Sequence, residues 1–274
     1  MHVPEASRAD GDIWDIDVYS PDTDVFIYLM DMFSNNYIEG KLCFITGIGK
    51  AMRTIDIRAR YEALGCEKSK GLLGPHAFSG ADWGGKFAGI SKSRWIKNYL
   101  KLDSSSEVLD VFKKLGEDGF NIDYMTSILE NFVCTVYAQT STSNTVKELR
   151  WELFKCKNLE AEKLPPTLWA LNPHIQRAHL ISMIGKGYND PQPQVPPLSE
   201  NGWERSPDGS FSPKKCLELP APQAVIELVK CGCHGKCASL CSCRNNDLPC
   251  TALCKCSDCQ NTVDYRVTHE EDFQ

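Results

Sequence analysis

The chain contains 274 residues, of which 42% are hydrophobic and 24% are charged, with a formal net charge of −6 and a pI near 5.6. This composition excludes a disordered chain, and the acidic balance excludes a general basic coat for nucleic acid, so any DNA contact has to be local. No apolar run reaches the length of a membrane span, and the N-terminal residues lack the basic and apolar regions of a secretory signal. We therefore expect a soluble protein without membrane association, in a reducing intracellular compartment.

Two aspartates follow the first predicted strand. Apolar residues alternate at Ile16 and Val18, and the dense apolar run 25–29 predicts that a buried strand leads into a helix. Asp22 and Asp24 lie between these elements, at a strand end where α/β folds place site residues. They are candidate ligands for a hard cation such as Mg²⁺ or Mn²⁺. Alternatively, Asp22 caps the helix and Asp24 stands in its first turn, and the two roles are compatible.

The next stretch predicts a hairpin, a helix and a basic segment. Strands are expected at 42–46 and near 54–57, followed by a helix that ends near Gly65. Asp82 then stands in a glycine-rich turn and is a third candidate acidic ligand. The helix after this turn can bind phosphate through its backbone amides and its positive side chains, without base specificity. Those side chains are Lys92, Arg94, Lys97 and Lys101.

Three segments resemble the flap-endonuclease type of PIN-like, metal-dependent nucleases. They are SPDTDVF at 20–26, HAFSGAD at 76–82 and GISKSRWIKNYL at 89–100. The resemblance implies an α/β fold with a partial PIN-like nuclease sheet and makes Asp22, Asp24 and Asp82 ligands of divalent ions. Such enzymes use two ions to activate water and to stabilise the leaving oxygen.

The same resemblance implies an upstream half with a first strand and further acidic ligands. In this sequence the acidic residues before residue 13, where the first predicted strand region begins, are Glu5, Asp10 and Asp12. We therefore expect residues 1–103 to form a truncated nuclease-like region that is incomplete or inactive. Later segments, including ELRWELF at 148–154, resemble uncharacterised animal proteins associated with mobile elements, in which such a region is coupled to a cysteine-rich C-terminus.

Two regions of different composition follow. Residues 104–187 show helical apolar spacing and predict a helical extension with four helices. His174 and His179 are five residues apart and do not share a helix face well, so they are not expected to form a metal site. Residues 188–229 are rich in Pro, Gly and Ser and predict an extended connector.

The segment 230–261 concentrates nine cysteines. A disulfide framework would need an oxidising compartment and normally an even number of cysteines, whereas thiolates in CxC and CxxC pairs suit zinc. Nine thiolates divide poorly among isolated four-coordinate ions, but three ions that share bridging thiolates would use all nine. The expected zinc ligands are Cys231, Cys233, Cys237, Cys241, Cys243, Cys250, Cys254, Cys256 and Cys259.

The spacing of these cysteines, with Asn261 after them, resembles the tesmin-type CXC domain. The resemblance implies a cluster of three zinc ions and nine cysteines that binds DNA. That family usually has a tyrosine before the second CxC, which reaches into the minor groove, and Leu240 stands there in this chain. Lys236, Arg244 and Lys255 are the candidate DNA contacts of the segment. Residues 262–274 form a tail.

These features lead to one hypothesis about function and to two alternatives. We expect a zinc-binding, DNA-binding protein on an inactive nuclease-like scaffold, with a nuclear location and with a protein partner as another possible target. The alternative enzyme is a divalent-metal-dependent, structure-specific nuclease that uses Asp22, Asp24 and Asp82. In a purely structural alternative the zinc cluster only stabilises the fold.

Overall fold

A computed structural model describes ten segments of the chain, and these carry the structural statements below. It divides the chain into two compact units, between residues 216 and 217. The described segments are 12–35, 38–81, 84–119, 121–157, 163–190, 192, 195–216, 231–250, 254–257 and 259–262.

The first unit contains a three-stranded sheet in the order β1-β2-β3. Strand β1 (Ile16–Tyr19) pairs in parallel with β2 (Leu42–Thr46), and β3 (Arg53–Asp56) pairs antiparallel with β2. Helix α1 (Thr23–Ser34) makes the crossover between β1 and β2 that a parallel pair requires. Strand β2 is buried over its first four residues because it is central, which explains its continuous apolar sequence.

Helices form the rest of this unit. Helix α4 packs against both α5 and α9, and α9 also packs against α7. Of the helices expected in 104–187, all four form, and the predicted elements of the α/β part are confirmed within one or two residues. The helices after β3 are α2 (Ile57–Leu64), α3 (Cys66–Lys70), α4 (Leu73–Gly80), α5 (Lys92–Leu100), α6 (Glu107–Lys114), α7 (Ile122–Tyr137), α8 (Val146–Lys157) and α9 (Leu168–Lys186).

One aromatic ring joins several of these helices. Phe78 on α4 is fully buried, and its ring centroid lies 5.4 Å from that of Trp95 on α5 and 5.8 Å from that of Phe112 on α6, both at edge-to-face angles. The ring of His174 on α9 lies 5.3 Å away. Edge-to-face rings at these distances add to the stability gained from burial. The core of the first unit is therefore centred on α4.

The segment expected to be an extended connector contains regular structure. Strands β4 (Trp203–Arg205) and β5 (Phe211–Pro213) form an antiparallel hairpin. Gly202, with φ of +78°, packs so tightly on α9 that a Cβ there would lie 2.2 Å from the carbonyl oxygen of Pro173. The carbonyl of Gly202 also accepts a hydrogen bond from Arg177 Nη1 at 2.9 Å. The hairpin therefore belongs to the first unit, and the prediction of an extended chain is wrong for these residues.

The described part of the second unit has little regular structure. It contains one short helix, α10 (Ser242–Asn245), and its interior consists of cysteine side chains. The mixed α/β content of the first unit and the cysteine-rich cluster of the second confirm the fold class at that level. The apolar stretch 224–230 and most of the tail lie outside the described residues. No helix in the described parts of the chain has the length and apolar character needed to cross a bilayer.

Candidate metal centre

The cysteine sulfurs of the second unit lie at the distances expected around zinc. The sulfur of Cys250 is 3.6 Å from that of Cys237 and 3.9 Å from those of Cys231 and Cys241. A tetrahedral ion with Zn–S bonds of about 2.3 Å places its sulfurs about 3.8 Å apart. A disulfide would require about 2.05 Å, and the described cysteines are all free. The described cysteines are therefore grouped so that they could hold a metal ion, as the sequence predicts.

The sulfurs form overlapping sets rather than separate sites. Four sets of four cysteines each have all their sulfurs within 4.8 Å of one another. Cys231 and Cys250 each belong to three of the sets, whereas Cys233 belongs to one. A sulfur that serves several sets is in the position of a bridging thiolate. The four sets are Cys231/Cys241/Cys243/Cys250, Cys231/Cys250/Cys254/Cys256, Cys231/Cys233/Cys237/Cys241 and Cys237/Cys250/Cys256/Cys259.

Local structure presents the sulfurs from different directions. Cys241 is the N-cap of α10 and Cys243 lies in its first turn, so one CxC pair projects from a single helix start. After α10 the chain reverses through Asp247, which has a φ of +56°, and the amide of Leu248 donates to the carbonyl of Cys243 at 2.9 Å. This turn separates the Cys241/Cys243 pair from Cys250 along the chain and returns the backbone toward the cluster.

Asn261 holds the last part of the segment against the cluster. Its side-chain amide donates to the carbonyl of Leu248 at 2.8 Å and to the sulfur of Cys250 at 3.4 Å, and its backbone amide donates to the sulfur of Cys259 at 3.3 Å. N–H donors to metal-bound sulfur orient the ligand and disperse its negative charge. The asparagine noted in the sequence after the ninth cysteine thus has a structural role in this site.

The thiol pKa values follow from crowding and from the short helix. Burial beside Cys254 raises the pKa of Cys243 to about 12, and burial beside Cys259 raises the pKa of Cys256 to about 11. The backbone N–H of Arg244 acts in the opposite sense and lowers the pKa of Cys241 to about 6. Buried thiols with raised pKa values remain protonated at neutral pH unless a cation replaces the protons. The donor atoms are all sulfur and lie in groups of four within 4.8 Å, which fits a soft divalent metal such as zinc.

The candidate DNA contacts of this unit lie at its surface. Lys236, Arg244 and Lys255 are all exposed. The guanidinium of Arg244 donates from Nη1 to the carbonyl of Cys237 at 3.0 Å. Leu240 is 94% exposed. The three cationic residues and Leu240 are therefore each accessible to solvent.

The first two candidate acidic ligands lie where the sequence predicted, at the end of β1. Asp22 is the N-cap of α1 and accepts a hydrogen bond from the amide of Asp24 at 2.9 Å, so the capping role is confirmed. Asp24 accepts a hydrogen bond of 2.6 Å from Nε2 of the buried His76. Burial and the nearby Lys92 lower the pKa of His76 despite the carboxylate. Asp82 lies outside the described residues, so a three-carboxylate site remains a prediction.

His76 was missed by the sequence analysis, although it begins the segment HAFSGAD. A single histidine in an apolar helix does not by itself predict a functional site. Its hydrogen-bond partner Asp24 is 52 residues away in the chain, so sequence proximity did not link the two residues. Among the described residues, the sets of metal-binding side chains close enough to hold an ion consist of cysteines.

The predicted basic helix is only partly free to bind a ligand. The ammonium of Lys92 donates to the carbonyl of Gly80 at 2.9 Å, and Arg94 donates from Nη2 to the carbonyl of Tyr137 at 3.2 Å. Lys97 is exposed on α5, and Lys101, also exposed, is the C-cap of this helix rather than a residue within it. Lys92 and Arg94 therefore make hydrogen bonds to backbone carbonyls within the first unit, whereas Lys97 and Lys101 are exposed to solvent.

Comparison with known proteins gives one partial match. Protein lin-54 of Caenorhabditis elegans is 38% identical over 69 residues, which cover 24% of this chain and 16% of the relative. The chain thus spans about a sixth of the length of the curated relative that it matches. Neither a family model nor a solved structure matches the chain.

Proposed function

We propose that this protein is a zinc-binding protein that contacts DNA through its second unit, and that it acts in the nucleus. The observation that carries the zinc assignment is the spacing of the sulfurs at 3.6–3.9 Å around Cys250. Zinc would supply the folding energy of this unit, because the buried cluster among its described residues consists of cysteine side chains. The residues that would hold the metal are the nine cysteines of 231–259.

The number of zinc ions is part of the proposal. Three tetrahedral ions require twelve Zn–S bonds, and nine thiolates supply twelve when three of them bridge two ions each. The membership of Cys231 and Cys250 in several four-sulfur sets supports bridging by these two residues. We propose three zinc ions, with Cys231 and Cys250 among the bridging ligands.

DNA is the proposed partner for three reasons. The spacing of the cysteines resembles the tesmin-type CXC domain, and 69 residues of the chain are 38% identical to part of protein lin-54. Lys236 and Lys255 are exposed and can neutralise phosphates, which supplies most of the affinity of nucleic-acid binding. Leu240 is exposed at the position where the family has its minor-groove tyrosine, and apolar wedges in that groove include leucine.

The DNA-binding surface is tested by two double variants with the same change in charge. We expect Lys236→Gln/Lys255→Gln to weaken binding to a fluorescent duplex and to reduce the slope of log K against log salt by roughly 1.8, because each lost phosphate contact contributes about 0.9. The matched control is Lys97→Gln/Lys101→Gln in the first unit, which should bind as the wild type does. Removal of zinc with a chelator should abolish binding. If the control variant loses affinity and the first variant does not, the proposal is wrong.

We propose a divalent-metal-dependent nuclease as the second candidate function, and the contact between His76 and Asp24 supports it. Hydrogen bonding of His76 to Asp24 holds this carboxylate at the end of β1, where a divalent ion of a PIN-like enzyme would lie. Asp22 and Asp82 would complete the site, with Mg²⁺ or Mn²⁺ as the metal. Incubation of flap and single-stranded DNA with either ion tests the activity, with Asp24→Asn as the comparison. Cleavage by the wild type alone would favour the nuclease, and equal behaviour of the two proteins would eliminate it.

A further inference from the structure

A small cavity in the first unit is lined by three cationic side chains. It has a volume of about 330 Å³ and lies between the loop after α4, helix α8 and the start of α9. Lys86, Arg150 and Arg177 contribute to its wall, and none of the lining residues, all of which belong to the described part of the chain, is an aspartate or glutamate. Its volume falls at the lower end of the range of small-ligand pockets, about 300–1,000 Å³.

Arg177 is the most buried of these three cationic residues. Its residue is 7% exposed, and its partners among the described residues are carbonyl oxygens: Nε donates to Gly84 at 3.0 Å and Nη1 donates to Gly202 at 2.9 Å. Carbonyl groups orient a guanidinium but do not neutralise its charge. Since buried charges are normally paired, a guanidinium held in this way is prepared for an anion.

Arg150 enters the same cavity from α8. Its guanidinium donates from Nη1 to the carbonyl of Pro165, so it too is fixed by a neutral partner. Burial lowers the pKa of both Arg150 and Arg177, which means that the cavity disfavours their positive charges in the absence of a compensating group. An anion bound between them would remove this penalty.

The remaining walls are compatible with an anion. Ala170, in the first turn of the 19-residue helix α9, lines the cavity, so the positive end of the helix dipole adds to the field there. His174 donates from Nε2 to the carbonyl of Phe78 and is neutral, since burial lowers its pKa to about 4. Tyr137 is also neutral, since burial raises its pKa to about 12. Neither group brings a negative charge.

We propose that this cavity binds a phosphomonoester, with Arg150, Arg177 and Lys86 as its ligands. A phosphomonoester carries nearly two negative charges at pH 7, whereas a phosphodiester or a carboxylate carries one, so it complements three cations best. Arginine pairs with phosphate oxygens through two parallel hydrogen bonds, and two fixed guanidinium groups suit a tetrahedral anion. The phosphate can belong to a small molecule or to the end of a nucleic-acid strand.

Isothermal titration of the zinc-loaded full chain with inorganic phosphate tests the site, with chloride at equal ionic strength as the reference. Lys86→Gln and Arg150→Gln should each weaken phosphate binding roughly tenfold, because each removes a charge-assisted hydrogen bond. Arg150→Lys should retain more affinity than Arg150→Gln. Lys50→Gln, an exposed lysine outside the cavity, should bind phosphate as the wild type does.

The source of the phosphate is distinguished with two decathymidylates that differ only in a 5′-phosphate or a 5′-hydroxyl group. Tighter binding of the phosphorylated strand, lost in Lys86→Gln, would assign the site to strand ends. Equal binding of the two strands, together with binding of inorganic phosphate, would assign it to small phosphomonoesters. Lys86 is exposed on a loop, so its variant tests the site even if Arg150→Gln is unstable. The proposal is overturned if the wild type does not bind phosphate or if Lys86→Gln binds it equally well.

Discussion

Replacement of a bridging cysteine should cost the second unit more zinc than replacement of a terminal one. Cys250 lies within 3.9 Å of three other sulfurs and belongs to three of the four-sulfur sets, whereas Cys233 belongs to one. Structural zinc is bound with about 10–16 kcal/mol, so each of four bonds contributes on average about 3 kcal/mol, or more than a hundredfold in affinity. In the proposed three-zinc cluster, Cys250→Ser would remove one bond from each of two ions, and Cys233→Ser would remove one bond from one ion.

Native mass spectrometry in the presence of a competing chelator measures this difference directly. We expect three zinc ions in the wild type, a loss of at least two in Cys250→Ser and a loss of no more than one in Cys233→Ser. Cys66→Ser, which removes an exposed thiol of the first unit, should retain the wild-type number. Equal losses in the two cluster variants would refute the bridging role of Cys250. A wild-type content of one zinc would refute the shared cluster as a whole.

Three further predictions concern stability and DNA affinity. Burial lowers the pKa of His174 and His179 to about 4, below the unfolded value near 6.5. The contribution of this shift to the free energy of unfolding should be complete above pH 6.5, and on the order of 2 kcal/mol per histidine should be lost by pH 5. Urea unfolding at the two pH values measures this loss. Gly116→Ala should destabilise the first unit by more than about 2 kcal/mol in thermal unfolding, since φ is +82° and the added Cβ would lie 2.6 Å from the backbone of Met183. Leu240→Ala should weaken duplex binding and Leu240→Tyr should strengthen it, as measured by fluorescence anisotropy.

Each of these predictions has a defined contrary result. Stability that is constant between pH 7 and pH 5 would show that neither histidine is held neutral. Gly119→Ala is the control for Gly116→Ala, because Gly119 has a similar φ of +80° but open space around the added carbon, and equal effects would exclude the predicted clash. Equal DNA affinities of the two Leu240 variants would exclude an apolar contact in the groove.

Individual strands, helices and helix caps were predictable because the residue patterns that specify them span only a few positions in the sequence. The strand at 42–46 has a continuous apolar run, and Asp22 precedes the helix that it caps at the spacing of an N-cap. The hairpin around Trp203 was not predicted, because its composition is that of a connector. It is fixed by contacts with α9, in particular the close approach of Gly202 to Pro173, and no short window of sequence contains that information.

The sequence by itself predicted a cysteine cluster suited to a soft cation, because nine cysteines in 29 residues must lie close to one another and thiolates prefer such cations. The tertiary structure decided which sulfurs lie together, and it brought the sulfur of Cys250 within 3.9 Å of those of Cys231, Cys237 and Cys241. It also decided the sites of the first unit, since packing brings His76 to Asp24 across 52 residues and brings Arg177 to the carbonyl of Gly84 across 93. Such contacts arise only when helices pack around a common core, because the energy that holds a distant pair together comes from the surrounding burial and not from the pair alone.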